Sequence, residues 1–196
     1  MNKDYEKCIN EIIKYSLLGY QRNLTIADSG NVSCRYRDGI LVTRSKSSLG
    51  ELTDKDILYV SMDGSVLEGE KDAVPSKETK MHLHLYQNRP DVQCVYHVHP
   101  PYSTVYAVKG KEIPFLTSTS RRKIGRAPLV PYADPGSDEL AMYVEETIVG
   151  DTEKKLNALL LEKHGIMTFA DSIGKSFQLA ELLEITAKIA LLERFA

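Results

Sequence analysis

The stretch Val95-Tyr96-His97-Val98-His99-Pro100 sets two imidazoles into an apolar run, alternating with hydrophobic residues. A period of two marks a pleated strand, on which side chains two apart point to the same face. His97 and His99 can therefore turn both rings toward one ion about 2 Å from each nitrogen. Such a pair needs a third ligand, and the chain has five histidines. One stands alone in Leu160-Leu161-Glu162-Lys163-His164-Gly165, just after another apolar strand-like run, and His164 is taken as that ligand. The other two, His82 and His84, fall in residues 76–86, whose pattern is helical; positions two apart on a helix diverge by about 200°. They cannot chelate as the strand pair can, and structural roles are expected for both. Glu78 and His82, four apart on one helical face, read as an ordinary intrahelical contact. For His97 and His99 the alternative of half-buried rings satisfied by backbone carbonyls stays open at this point.

Outward from this stretch, the pattern alternates hairpins with helices. From Asp4 to about Tyr20, Ile9, Ile12, Ile13, Leu17 and Leu18 recur at three- and four-residue intervals and predict an amphipathic helix. Asp28-Ser29-Gly30-Asn31 is a turn, and strands follow over residues 32–36 and 40–43, joined at Asp38-Gly39. Thr53 to Asp56 resembles a short helical turn before a strand over 57–61, and Asp63-Gly64 turns into Val66-Leu67. Pro75 and Ser76 are expected to open a helix that carries Glu78 and runs to about Asn88. A short helix over 102–108 follows the histidine strand, and the proline-rich stretch 109–136 reads as loop. Ser137 caps a helix to about Val149, strands over 157–161 and 166–170 flank His164, and Ser172 caps a final long helix. This order points to an antiparallel or mixed sheet covered by helices.

Size and charge exclude several function classes. A chain of 196 residues is expected to form one domain. The net charge is −2 and no basic run exceeds Arg121-Arg122-Lys123, which speaks against nucleic acid or an anionic membrane surface as partner. Cys8, Cys34 and Cys94 are an odd number without close spacing, which argues for a reducing compartment and a cytoplasmic location. No stretch approaches about 18 apolar residues and the N-terminus lacks an apolar core, so neither a standard export signal nor a membrane span is expected. No dinucleotide or Walker phosphate fingerprint appears.

Three neutral imidazoles leave coordination positions open on zinc, as in catalytic sites, whereas structural sites are closed by four protein ligands. An open ion can polarise a carbonyl and stabilise the charge that develops when an adjacent bond breaks, and a nearby carboxylate could move the proton.

Several further landmarks stand in a consistent order: Gly30-Asn31-Val32-Ser33, the segment from Val42-Thr43 to Leu52-Thr53, Pro75-Ser76-Lys77-Glu78, His97-Val98-His99 and Lys163-His164-Gly165. On these the chain resembles, over nearly its whole length, the class II aldolase/adducin head family, which includes zinc-dependent fuculose- and rhamnulose-phosphate aldolases and ribulose-phosphate 4-epimerase. The resemblance implies a three-layer α/β/α fold around a central, mainly antiparallel sheet. It places one zinc per subunit on His97, His99 and His164 and the catalytic carboxylate on Glu78, which can also approach the metal. That acid is glutamate in the aldolases and aspartate in the epimerase, which favours an aldolase. The phosphate pocket maps onto Gly30, Asn31, Ser45, Lys46, Ser76 and Lys77. Lysines 46 and 77 stand where the fuculose-phosphate enzyme has small residues, and either add cations for an anion or point to solvent.

The resemblance implies retro-aldol cleavage of a ketose 1-phosphate to dihydroxyacetone phosphate and an aldehyde, in a homotetramer with sites at subunit boundaries, where Arg121, Arg122 or Arg126 could reach a neighbour's substrate. One departure leaves the substrate open: the aldolase's catalytic tyrosine after an Ile-Pro pair is missing from Ile113-Pro114-Phe115-Leu116-Thr117-Ser118, and its tyrosine-bearing tail is not found in these residues. Decarboxylation of a 3-oxo acid phosphate and pentulose-phosphate 4-epimerisation are the alternatives. An adducin-like module without chemistry would have no need of three ligands plus the carboxylate.

Overall fold

The computed structural model describes residues 3–195. It opens with helix α1 (Lys3–Gln21), whose buried Ile9, Ile12, Ser16 and Gly19 fall on one stripe at three- and four-residue steps. Strands β1 (Asn31–Tyr36) and β2 (Gly39–Thr43) form a hairpin, followed by β3 (Ile57–Ser61) and the short β4 (Val66–Glu68). Helix α2 (Thr79–Asn88) leads into the histidine strand β5 (Cys94–Val98), and α3 (Pro101–Val108) starts with Pro101 in its first turn. Then come α4 (Ser118–Lys123), β6 (Leu129–Val130), α5 (Asp138–Gly150), the hairpin of β7 (Ala158–Leu161) and β8 (Gly165–Ala170), and α6 (Ile173–Leu192).

The eight strands form one sheet in the order β4-β3-β2-β1-β5-β8-β7-β6. Every neighbouring pair is antiparallel except β6–β7 at one edge. Alternation along the strands splits the core in two. Val32, Cys34, Cys94, Tyr96 and Val98 pack on one face with residues of α1, α3 and α6; Val95, Met167 and Phe169 pack on the other with residues of α2 and α5. The layers are therefore helix, mainly antiparallel sheet, helix. Among the described residues no helix is long and apolar enough to cross a membrane.

Four local expectations change. The helix expected from Pro75 begins at Thr79. Pro75 bridges to Arg44, the Ser76 N–H donates to the Thr43 carbonyl, and the Ser45 N–H to that of Val74, so this segment extends along the end of β2 instead of coiling. The first hairpin turns at Arg37-Asp38, with Arg37 at φ 50, and Gly39 is already in β2. Glycine is needed there for close approach: a Cβ would stand 2.2 Å from the Val60 carbonyl oxygen. The stretch 109–136 holds α4 and β6, which at six and two residues are too short to leave a periodic pattern. Ser137 caps α5 through its hydroxyl, which accepts from the Leu140 N–H, whereas the Ser172 hydroxyl turns to Asp171 and leaves α6 without a side-chain cap.

Candidate active site

The site forms where the carboxyl end of β5 meets the tip of the β7–β8 hairpin. His97 is the fourth residue of β5 and faces the α2 side; His99 lies just past the strand, and His164 sits in the three-residue turn between β7 and β8. The chain must tighten to bring His164 in. Lys163 adopts φ 55, and a Cβ on Gly165 would lie 2.4 Å from His99 Cδ2 and 2.6 Å from the Val98 carbonyl oxygen, so only glycine lets the hairpin tip close over His99.

Three rings and one carboxylate converge at this point. Ring centroids lie 4.7 Å apart for His97 and His99, 4.8 Å for His97 and His164, and 5.0 Å for His99 and His164. Their ligating nitrogens all lie within 4.8 Å of one another. His97 Nε2 and His99 Nε2 stand 3.0 Å apart. Glu78 closes the fourth side, with Oε2 3.1 Å from His97 Nε2 and Oε1 3.1 Å from His164 Nε2. Glu78 is the residue just before α2, so the extended segment that displaced the expected helix start is what carries it to the histidines.

These residues fit a divalent ion. Nitrogens about 2 Å from a shared ion stand roughly 3.3 Å apart in tetrahedral geometry, close to the His97–His99 separation. His97 Nδ1 donates to the Ile166 carbonyl at 2.8 Å, which assigns the proton to Nδ1 and leaves the Nε2 lone pair facing the cluster. Burial pushes the pKa of His99 down to about 3 and is the largest cause lowering His164 as well, so both stay neutral as metal ligation requires. Burial raises the Glu78 carboxyl, but the close imidazoles of His97 and His164 outweigh it and hold the group below the ordinary carboxylate range. Among the described residues, Glu78 Oε1 and His164 Nδ1 are buried without a hydrogen-bond partner. A carboxylate oxygen so placed beside imidazole nitrogens suits a cation between them.

A second set of contacts fixes the carboxylate. Asn31, opposite His97 in the β1–β5 ladder, donates from Nδ2 to Glu78 Oε2 at 2.8 Å. Gly30, at φ +84, lies against the His97 carbonyl, where a Cβ would come within 2.9 Å. Two residues beyond Asn31, Ser33 hydrogen-bonds His82 Nδ1 at 2.8 Å and the Tyr86 hydroxyl at 2.9 Å. His82 is thus a buried, neutral packing histidine, its pKa pushed down to about 3 by burial and the charge of His97. His84 pairs with Glu145 of α5 at 2.6 Å. Neither belongs to the metal-capable group.

A cleft of about 550 Å³ opens above the cluster, lined by every residue expected for a phosphate pocket: Gly30, Asn31, Ser45, Lys46, Ser76 and Lys77. Glu78, His99 and His164 line the end of the cleft at the histidine cluster. Two cations that sequence reasoning did not single out also line it, Arg44 and Lys163. Arg44 Nε is held by Asp56 Oδ1 at 2.5 Å, and the Lys163 ammonium lies 5.3 Å from the centre of the Tyr132 ring. Neighbouring Ser45 and His164 were the only pointers to them. Arg121, Arg122 and Arg126 do not line this cleft; Arg121 donates to the Phe115 carbonyl and Arg126 pairs with Glu112.

Similarity to known proteins agrees with this architecture. The family model described as "Class II Aldolase and Adducin N-terminal domain" matches residues 10–191. An L-fuculose phosphate aldolase of Methanococcus maripaludis is 32% identical over 181 residues, covering 92% of this chain and 94% of that protein. Among solved structures, an L-fuculose 1-phosphate aldolase superposes with a TM-score of 0.88 at 30% identity, covering 100% of this chain and 88% of that one. YgbL of Escherichia coli, described as a putative aldolase/epimerase/decarboxylase, gives 0.87 at 29% identity over 97% and 91%. The chain belongs to the class II aldolase and adducin family.

Proposed function

We propose that this chain is a zinc-dependent class II aldolase that cleaves a ketose 1-phosphate reversibly to dihydroxyacetone phosphate and an aldehyde. The observation that carries this reading is the convergence of His97, His99, His164 and Glu78 at the floor of a cleft whose other end is rich in hydroxyls, amides and lysines. One divalent ion per subunit, held by the three imidazoles, would polarise a ketone carbonyl and offset negative charge as the carbon–carbon bond breaks. Glu78 moves the proton. Asn31 occupies Oε2, so Oε1 is the free atom: in condensation it takes a proton from the carbon next to the carbonyl, and in cleavage it returns it. Gly30, Asn31, Ser45, Lys46, Ser76 and Lys77 bind the phosphate, positioning the reacting carbons against Glu78. Residues 1–196 act as one catalytic domain within a cytoplasmic homotetramer whose sites lie at subunit boundaries, where Arg121, Arg122 or Arg126 reaches a neighbour's substrate.

The relatives' names put L-fuculose 1-phosphate first in a screen of ketose 1-phosphates on metal-replete protein, read by dihydroxyacetone phosphate release. Cleavage by the wild type and its loss in Glu78→Gln supports the proposal; undiminished cleavage in the variant removes Glu78 from the mechanism. A second reading is decarboxylation of a 3-oxo acid phosphate. It is favoured by four cations lining the cleft, Arg44, Lys46, Lys77 and Lys163, enough for a carboxylate as well as a phosphate. Carbon dioxide release from such acids, without an aldehyde product, would select it.

A further inference from the structure

His97 and His99 are held in place by different means. His97 lies within β5 and donates from Nδ1 to the Ile166 carbonyl, whereas His99 stands one residue past the strand, and its Nδ1 has no hydrogen-bond partner among the described residues. The placement of the His99 ring therefore depends on the backbone that leads out of it, Pro100-Pro101 and the first turn of α3. That connection is stiff, because each proline ring fixes φ near −65°, and Pro100 sits at φ −70. The prolines also simplify the start of the helix. An α-helix begins with four N–H groups that its own turns cannot satisfy; with proline at the cap and first positions only those of Tyr102 and Ser103 remain.

Glu184 of α6 takes both of these donors. Its Oε1 accepts from the Tyr102 N–H at 2.9 Å, and its Oε2 from the Ser103 N–H at 2.8 Å and the Ser103 hydroxyl at 2.9 Å. One turn further along α6, the Lys188 ammonium stands 5.1 Å from the centre of the Tyr102 ring, a second hold on the same residue. The support is itself fixed, since Leu183 and Ala187 on either side of Glu184 are fully buried in the cluster that contains Tyr96 and Val98 of β5. We infer that Glu184 is a positioning residue for His99: its carboxylate clamps the first turn of α3 to α6, and the two prolines carry that placement to the ring. Two oxygens on two successive N–H groups set both the rotation and the height of the helix start, which one acceptor could not do. The inference rests on His99 as a proposed metal ligand and adds a residue that does not line the substrate cleft; Glu184 opens instead on a separate cavity of about 300 Å³.

The test measures zinc affinity of metal-free protein in competition with a chromophoric chelator, with thermal melts on every variant. Glu184→Gln keeps the length but turns an NH₂ group toward one of the two N–H donors, and zinc affinity is expected to fall about tenfold, the scale for residues that orient a metal ligand. Glu184→Asp, which keeps both acceptors, should lose less. Ser137→Ala removes the cap of α5, far along the chain from these contacts, and should lower the melting temperature without changing zinc affinity. In a His99→Ala background, Glu184→Gln should have no further effect on zinc binding, because the ring it positions is gone. Wild-type zinc affinity in Glu184→Gln would overturn the inference, and so would an equal loss with and without His99; either result leaves the histidine site standing. Unchanged zinc affinity in His99→Ala would instead remove His99 from the ligands and the role of Glu184 with it.

Discussion

The two oxygens of Glu78 keep different company: Oε2 accepts from Asn31, while Oε1 faces His164 and has no hydrogen-bond donor among the described residues. Glu78→Gln keeps the shape and removes the proposed base, so turnover should fall by about 10²-fold or more, the scale of general acid–base catalysis, while bound metal measured by emission spectroscopy stays at the wild-type level. Asn31→Ala should lower kcat less and leave metal content intact, because it frees the carboxylate without deleting it. Lys46 illustrates a different tension. It lies in the cleft at φ 60, a conformation that suits glycine, so a cation is held there at the cost of backbone strain. Lys46→Gly should raise stability by roughly 0.5–1 kcal/mol in denaturant titrations while raising the KM for a phosphorylated substrate. A more stable variant with unchanged KM would mean that the ammonium points to solvent.

Two connections decide whether these side chains meet. The β7–β8 turn depends on Gly165, and Gly165→Ala drives a methyl group into His99 and the Val98 carbonyl. Loss of roughly 1–3 kcal/mol, typical of overpacking, should come with loss of bound metal, because the displaced ring is one of the three proposed ligands. The segment after β2 depends on Asp56, which accepts from the Thr53 N–H and hydroxyl at 2.8 Å each and from Arg44. Burial raises this carboxyl, but those hydrogen bonds and the Arg44 charge outweigh it and lower it overall. A carboxylate depressed in the folded state stabilises above its unfolded pKa of about 3.9, and that contribution is lost as pH falls through the lower folded value. Asp56→Asn should therefore cost about 1–2 kcal/mol near pH 7 and flatten the acid limb of the stability profile below about pH 4, checked by thermal melts across pH. A parallel shift at every pH would show that the ionised form contributes nothing.

Taken whole, the sheet brings together what the chain keeps apart, and this governs what could be read in advance. His97 and His99 were legible because strand alternation alone fixes their common face, and the five-histidine inventory left His164 as the third ring. The sheet's mainly antiparallel character followed from its hairpins. Glu78 could be assigned only by resemblance, since its place depends on the pairing of residues 74–76 with β2, a tertiary contact that overrode the proline-and-serine signal for a helix start. Arg44 and Lys163 escaped notice because no spacing rule says which surface cations share a cleft. At this scale a chelator is the simplest probe. Ligand at 100 times its dissociation constant stabilises a fold by about 2.7 kcal/mol, so stripping the ion should lower the melting temperature by several degrees, and zinc should restore it. The wide separation of the ligands along the chain carries a consequence for synthesis. Two rings emerge from the ribosome with β5, but the third arrives only at the turn before β8, after most of the polypeptide has been made. With the three histidines as the proposed ligands, a nascent chain halted before that turn would hold an incomplete chelate, so capture of the ion would mark the end of assembly and could not guide its beginning.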